Sequence, residues 1–282
     1  WRADGPTKTG ARIEAIAVPP GNNGTIYVGV GTGNVWKTLN NGLTWRPVFD
    51  HESAFAIGDI AVAPSNPNVV WVATGEAQPR YTGYSYPGTG VFKSTDAGAT
   101  WNYMGLGESH HIGKVIINPR NPDIVYVASM GHQWSNNSER GVFKTMDGGQ
   151  HWARVLFVSD STGVIDMAMD PANADVIYAW AWHIESGTDG GLYKTIDGGD
   201  HWRHITTGLP SGALGRAGID VAPSDPRVVY IFLDNRAKSE RADRPFVGER
   251  CTARMTAAKA GTVRIQKTCT ACLESMAGSS PM

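Results

Sequence analysis

A polar nonapeptide ending in tryptophan occurs four times in this chain, as KTLNNGLTW (37–45), KSTDAGATW (93–101), KTMDGGQHW (144–152) and KTIDGGDHW (194–202). The tryptophans Trp45, Trp101, Trp152 and Trp202 thus recur about every 50 residues, a period that marks repeated supersecondary units whose neighbours bury each other's faces. Such units share one continuous core, so the 282 residues read as one repeat domain rather than two unrelated ones.

A second, apolar motif precedes each polar one, as AIAVPPGNNGTIYVGV (15–30), AVAPSNPNVVWVATGE (61–76), IINPRNPDIVYVASMG (116–131) and MAMDPANADVIYAWAW (167–182), and occurs a fifth time after the last, as DVAPSDPRVVYIF (220–232). The cycle is therefore an apolar strand a, a Pro/Asn/Asp turn, a β-branched strand b, a variable loop, a strand c such as GVFKT, the polar turn, and a strand d at the tryptophan. With 34 glycines and 18% charged residues, and no sustained helical periodicity, the chain reads as all-β. Four antiparallel strands in about 50 residues make a propeller blade. Four blades are clear, at about 10–50, 56–105, 110–157 and 163–207, and a fifth is partial at 215–246.

The polar turns resemble the Asp box, S/T-x-D-x-G-x-x-W, of BNR-repeat β-propellers. Thr145, Asp147, Gly149 and Trp152 match it, as do Thr195, Asp197, Gly199 and Trp202, and Ser94, Asp96, Gly98 and Trp101; the first copy has Asn40 in the aspartate position. The resemblance covers roughly residues 1–235, and MGLGESHHIGKVIINPRNPDIVYVASMGHQW and ERGVFKTMDGGQHW are most similar to bacterial glycosyl hydrolase-like and sortilin (Vps10)-like members. It implies an extracytoplasmic carbohydrate-active or carbohydrate-binding protein, secreted or periplasmic, with glycoside hydrolysis as its enzymatic version. The alternative it implies is a sortilin-like module that binds peptide or protein without catalysis. Xyloglucanases share the architecture but carry a catalytic aspartate after strand b of the first blade, where this chain has Gly31.

The boxes themselves are scaffold: a carboxylate in a c–d turn accepts backbone N–H groups, and identical repetition is the opposite of a catalytic constellation. Chemistry is expected on the other face, with the d–a and b–c loops. Counting five residues back from each strand-a proline gives Glu14, Asp59, Lys114, Asp166 and Gly218 near the axis. Convergent carboxylates are what glycoside hydrolysis needs, so Asp59, Asp166 and the loop acid Glu76 are the catalytic candidates. Arg80, Tyr81, His110, His111, His132, Trp134, Trp182 and Arg216 are the candidates for contact with a glycan or peptide, offering stacking rings beside hydrogen-bond donors. The bland reading is that the histidines and tryptophans brace loops.

Several classes are disfavoured. A net charge of −1, with no basic run interleaved with aromatics, gives no footprint for nucleic acid. No run of about 20 apolar residues offers a membrane span. There is no serine elbow or P-loop, and the GVGTGNVW glycines open no helix, so no cofactor is expected. Adjacent His110 and His111 would point apart, so no metal site is expected either; nor do Cys251, Cys269 and Cys272, with no histidine nearby, make a zinc site.

Past Phe246 the pattern stops, and residues 247–282 form an atypical tail that contains every cysteine and no aromatic residue. Read one base earlier, Met255 followed by Thr256 forces an aspartate codon, and the surrounding codons permit S-D-D-G-G-K-S-W, a fifth Asp box. The tail thus reads as frameshift-derived, leaving four and a half blades whose open edge is expected either to be covered by improvised strands such as GTVRIQKT or to pair with another copy. Sequencing the encoding DNA is expected to show that box in the shifted frame, followed by further blades; stop codons there would refute it.

Overall fold

The computed structural model describes residues 12–76, 85–184, 187–210 and 212–235, with the backbone of Arg250–Ala257 and Val263–Cys269. The apolar, proline-punctuated repeats fold into five four-stranded meanders, each antiparallel in sequence order. The first comprises β1 (Ile13–Ala17), β2 (Ile26–Val30), β3 (Asn34–Thr38) and β4 (Arg46–Pro47). The second comprises β5 (Ile57–Val62), β6 (Val70–Thr74), β7 (Val91–Ser94) and β8 (Asn102–Tyr103). In the third are β9 (Ile112–Ile117), β10 (Val125–Ser129), β11 (Gly141–Thr145) and β12 (Ala153–Leu156), and in the fourth β13 (Thr162–Met169), β14 (Ile177–His183), β15 (Gly191–Thr195) and β16 (Arg203–Ile205). The fifth has β17 (Leu214–Val221), β18 (Val228–Asn235), β19 (Arg250–Ala257) and β20 (Val263–Cys269). The first strands of successive sheets lie side by side, β1 on β5, β5 on β9, β9 on β13 and β13 on β17, which makes the protein an all-β propeller.

The tail segment contributes the third and fourth strands of the last sheet, β19 pairing with β18 and β20 with β19 along their lengths. The alternation in TVRIQKT (262–268) suits a strand. The only helical element among the described residues is one 3₁₀ turn, Gly107–Ser109, and no described helix is long and apolar enough to cross a membrane.

Each blade leaves an apolar face that its neighbour covers, so the cores lie between sheets. Tyr27, Val35, Ile57, Ile60, Val70 and Phe92 fill the first gap, Trp71, Val91, Ile112, Val127 and Phe143 the second, Tyr126, Val164, Met167 and Ile177 the third, and Trp180, Leu192, Ile219 and Ile231 the fourth. The box tryptophans enter these gaps rather than strand d, which begins one residue later. Trp101 donates its indole N–H to Val48 O at 2.6 Å and Trp152 to Met104 O at 2.7 Å, in each case to the preceding blade. Trp45, in the first described blade, donates instead within its own turn, to Gly42 O.

The turn chemistry is the same in every box. Thr145 Oγ1 donates to Asp147 Oδ1 and accepts from the Gly149 amide at 2.9 Å, while Asp147 Oδ1 accepts the His151 amide at 3.0 Å. Asn40 reproduces this with its side-chain oxygen, accepting from Thr44 N at 2.9 Å, so the substitution in the first copy keeps the turn. Hydrogen bonds from Thr100 and Ser94 hold the Asp96 carboxyl down at about 2; those from His151 and Thr145 also hold Asp147 below its ordinary range.

A second device links the blades, and sequence reading passed over it. The lysine of each strand c crosses to the box turn of the next blade: Lys37 Nζ donates to Ala97 O at 2.7 Å, Lys93 to Gly148 O at 3.1 Å and Lys144 to Gly198 O at 2.8 Å. Each ammonium also lies over an aromatic ring of strand b, 5.0 Å from Tyr27, 5.4 Å from Trp71 and 5.5 Å from Tyr126, a cation–π arrangement strengthened by partial desolvation. Lys194 lies likewise over Tyr178, but among the described residues its Nζ has no box carbonyl to reach.

The buried threonine is the most economical point at which to break a box. Thr145→Val removes the acceptor of the Gly149 amide, and an unpaired buried donor should lower unfolding free energy by about 1–3 kcal/mol. Chemical denaturation measures this, and a variant as stable as the parent would show that the box does not support the turn.

Candidate functional site

Every first strand carries a register irregularity near its loop-face end: Ile13/Ala15 in β1, Ile57/Asp59 in β5, opposite β9 at Ala128/Ser129, Val164/Asp166 in β13 and Leu214/Ala217 in β17. Such bulges re-aim side chains, and here they send carboxylates across to the next blade. Asp59 Oδ2 accepts the Val115 amide at 2.8 Å, and Asp166 Oδ2 accepts the Ile219 amide at the same distance. Lys114 Nζ stands 3.8 Å from Asp59 Oδ2 and is held above its ordinary range by Asp59, with Asp166 and Asp220 adding to the pull.

The five axial positions therefore divide. Asp59, Lys114 and Asp166 form one electrostatic group beside Gly218, where an added Cβ would come 3.7 Å from Asp166 Oδ2. Burial pushes the Asp59 carboxyl up against the opposing pull of Lys114, and burial raises Asp166 to about 6 despite Lys114 and two amide donors. A carboxyl in that range can deliver a proton near neutrality.

Glu14 joins a different group. Arg12 places Nε 2.9 Å from Glu14 Oε1 and Nη2 2.9 Å from Glu76 Oε1. Glu76 is 1% exposed, and its Oε2 has no hydrogen-bond partner among the described residues. Between them lies Gly31, at which an added Cβ would meet Glu14 Oε1 and Glu76 Oε1 at 3.2 Å each. The position that carries an aspartate in xyloglucanases is thus crowded by two carboxylates from elsewhere in this chain. Arg12, which organises the pair, stands two residues before Glu14, a position that is apolar in the next three blades and Arg216 in the fifth.

The aromatic and basic candidates separate by burial. His111 is buried, with Nδ1 3.1 Å from Glu76 O, and desolvation lowers its pKa to about 4; it braces the Glu76 loop as a neutral ring. Trp182 is 3% exposed, with the Arg216 guanidinium 4.6 Å over its ring, so its faces are taken by the protein. His110 and His132 are half-buried and stack at 3.8 Å between centroids, and burial, with His132 nearby, lowers His110. Trp134 is 66% exposed and offers a free ring. Arg80 and Tyr81 lie outside the described residues. A residue that sequence reading missed is Arg140, fully buried, whose guanidinium donates to the carbonyls of Met130, His132 and Ser135 and so shapes the loop carrying His132 and Trp134.

Four-stranded blades about an axis, tied by Asp-box turns, define a BNR-repeat β-propeller. The chain belongs to the Sortilin-Vps10 family, whose model, described as "Sortilin, neurotensin receptor 3", matches residues 89–247, more than half of it. Among curated proteins it is similar to xyloglucanase Xgh74A of Acetivibrio thermocellus, 26% identical over 170 residues that cover 55% of this chain and 19% of the relative. Among solved structures it is similar to an ancestral GH74 enzyme, with a TM-score of 0.64 at 21% identity, covering 91% of this chain and 32% of that one. It is also similar to YCF48 bound to D1 peptide, with a TM-score of 0.56 at 12% identity, covering 94% and 70%. The chain spans about a fifth of the curated relative and a third of the GH74 structure.

The raised Asp166 carboxyl has a consequence for stability. Between its unfolded value and about 6 the folded chain holds a proton that the unfolded chain has released, so stability falls as pH rises through that window. Relative to Asp166→Asn, the parent should lose up to about 3 kcal/mol between pH 4 and pH 7. Parallel stability profiles for the two proteins would mean that Asp166 titrates normally.

Proposed function

We propose that the loop face binds a glycan and that the chain is part of an extracytoplasmic carbohydrate-active propeller, with hydrolysis of a glycosidic bond as its chemistry. The observation that carries this reading is Asp166, a half-buried axial carboxyl raised to about 6, accompanied on the same face by the buried Asp59 and Glu76. In hydrolysis one carboxyl protonates the leaving oxygen while a second, ionised, acts as base or nucleophile. Asp166 suits the first role because burial keeps its proton available; Glu76, ion-paired to Arg12 and with no hydrogen-bond partner for its other oxygen among the described residues, suits the second. Asp59 and Lys114 set the field around Asp166, and the exposed Trp134 ring supplies a surface on which a sugar can stack. The name of the relative, a xyloglucanase, supports a polysaccharide substrate.

The second reading is a peptide-binding module without catalysis, favoured by the Sortilin-Vps10 match over 89–247 and by the D1 peptide held by YCF48. It needs no titrating acid, and the two readings part there. Incubation of the chain with xyloglucan and other β-glucans is expected to release reducing ends. Asp166→Asn and Glu76→Gln should each lower turnover by at least about 100-fold, with Asp59→Asn also slower. If all three keep the parent's turnover, these roles are wrong; retention of peptides on an array without any glycan would select the second reading.

A further inference from the structure

We propose that Glu108, His110 and His132 form a binding site for a divalent transition-metal ion of the zinc type, open to a further ligand on the loop face. One ligand atom from each of the three side chains lies within 4.8 Å of the others. Among the described residues no other three histidine, cysteine or acidic side chains come so close. Two imidazoles and a carboxylate are a donor set that zinc takes when a fourth position is left to water or substrate. Zinc at about 2.0–2.2 Å from each donor needs donors about 3.3–3.5 Å apart, so binding requires the stacked rings of His110 and His132, now 23° from parallel, to turn until both lone pairs meet on one ion.

The supporting shell points the same way. His132 Nδ1 lies 3.1 Å from Ser135 Oγ; with the proton there, Nε2 is left as a bare lone pair, and it is buried without a hydrogen-bond partner among the described residues. Orientation of a ligating imidazole through its other nitrogen is the usual outer-shell arrangement of metal sites. Both ligand loops are held as well. Asn137 Oδ1 accepts the His132 amide and its Nδ2 donates to Glu108 O, each at 3.1 Å, so one side chain ties the two segments together. Buried Arg140 clamps the His132 loop through three carbonyls. His110 has a φ of 53°, a left-handed backbone that a non-glycine residue adopts only under tertiary constraint, and its carbonyl accepts the Gly88 amide at 2.6 Å.

Sequence spacing hid this site, because His110 and His132 are 22 positions apart and meet only where a d–a loop faces a b–c loop. The open coordination position would accept an oxygen of a ligand near the exposed Trp134.

The test uses the full chain, stripped with chelator, dialysed and titrated with Co²⁺ followed by Zn²⁺. Saturation at one equivalent of Co²⁺ is expected, with visible bands but no thiolate charge-transfer band from the tail cysteines, and with displacement by Zn²⁺. Glu108→Gln, an exposed change that leaves folding intact, and His132→Gln should each weaken binding by about 10-fold or more, while His51→Gln, a change at an exposed residue of the first blade, should not. No saturable binding at about 0.1 mM metal, a thiolate band at one equivalent, or parental affinity in Glu108→Gln or His132→Gln would overturn the proposal.

Discussion

The lysine that leaves strand c of one blade and ends on the box turn of the next is the contact on which the rest of the propeller depends. Its ammonium satisfies a turn carbonyl, covers an aromatic ring, and keeps the Asp box close enough for the box tryptophan to enter the gap between sheets. None of these parts works alone. Without the box there is no carbonyl in place, and without the ring the lysine would have to desolvate for a single hydrogen bond. The three together turn a stack of amphipathic sheets into a curved array with fixed spacing, and that spacing puts the bulged ends of the first strands on a common axis.

The same geometry explains why the axial carboxylates are double-natured. Asp59 and Asp166 each stitch one blade to the next through a backbone amide, which is a structural duty. Yet the stitch holds them where water is scarce and charge is costly, and this lifts their proton affinity. In Asp166 both oxygens are engaged, Oδ2 by the Ile219 amide and Oδ1 by the Met167 amide at 2.9 Å, so a proton on either competes with a backbone bond. Glu76 shows a further variant: it is fixed from the first blade by Arg12, and takes the space that Gly31 leaves.

The architecture was largely legible because its signals are periodic. The box residues, the turn prolines and the alternating apolar strands recur every blade, so each copy corroborates the others. The site was less legible, for the same reason. The Arg12–Glu76 pair, the Arg140 clamp and the facing of His110 by His132 occur once among the described residues, and each depends on how loops approach in space, which no spacing rule encodes. Residue type alone leaves Trp182 and His111 open to ligand contact or to bracing, and only the fold shows Arg216 over one ring and the Glu76 carbonyl beside the other. The lysine clasp is the instructive case: Lys37, Lys93, Lys144 and Lys194 repeat in plain view, but a charged residue in a strand is ordinarily taken for a solvated one.

The clasps close across sequence separations of 60, 55 and 54 residues, always toward the C-terminus. A blade emerging from the ribosome therefore has its strands but not its lock until the following box has been made 54–60 residues later, about 3–12 seconds at ordinary rates of synthesis. The nascent protein grows with one unfinished sheet at its leading side and finished sheets behind it. Manufacture thus has a direction, with the newest blade always the one that awaits its lock.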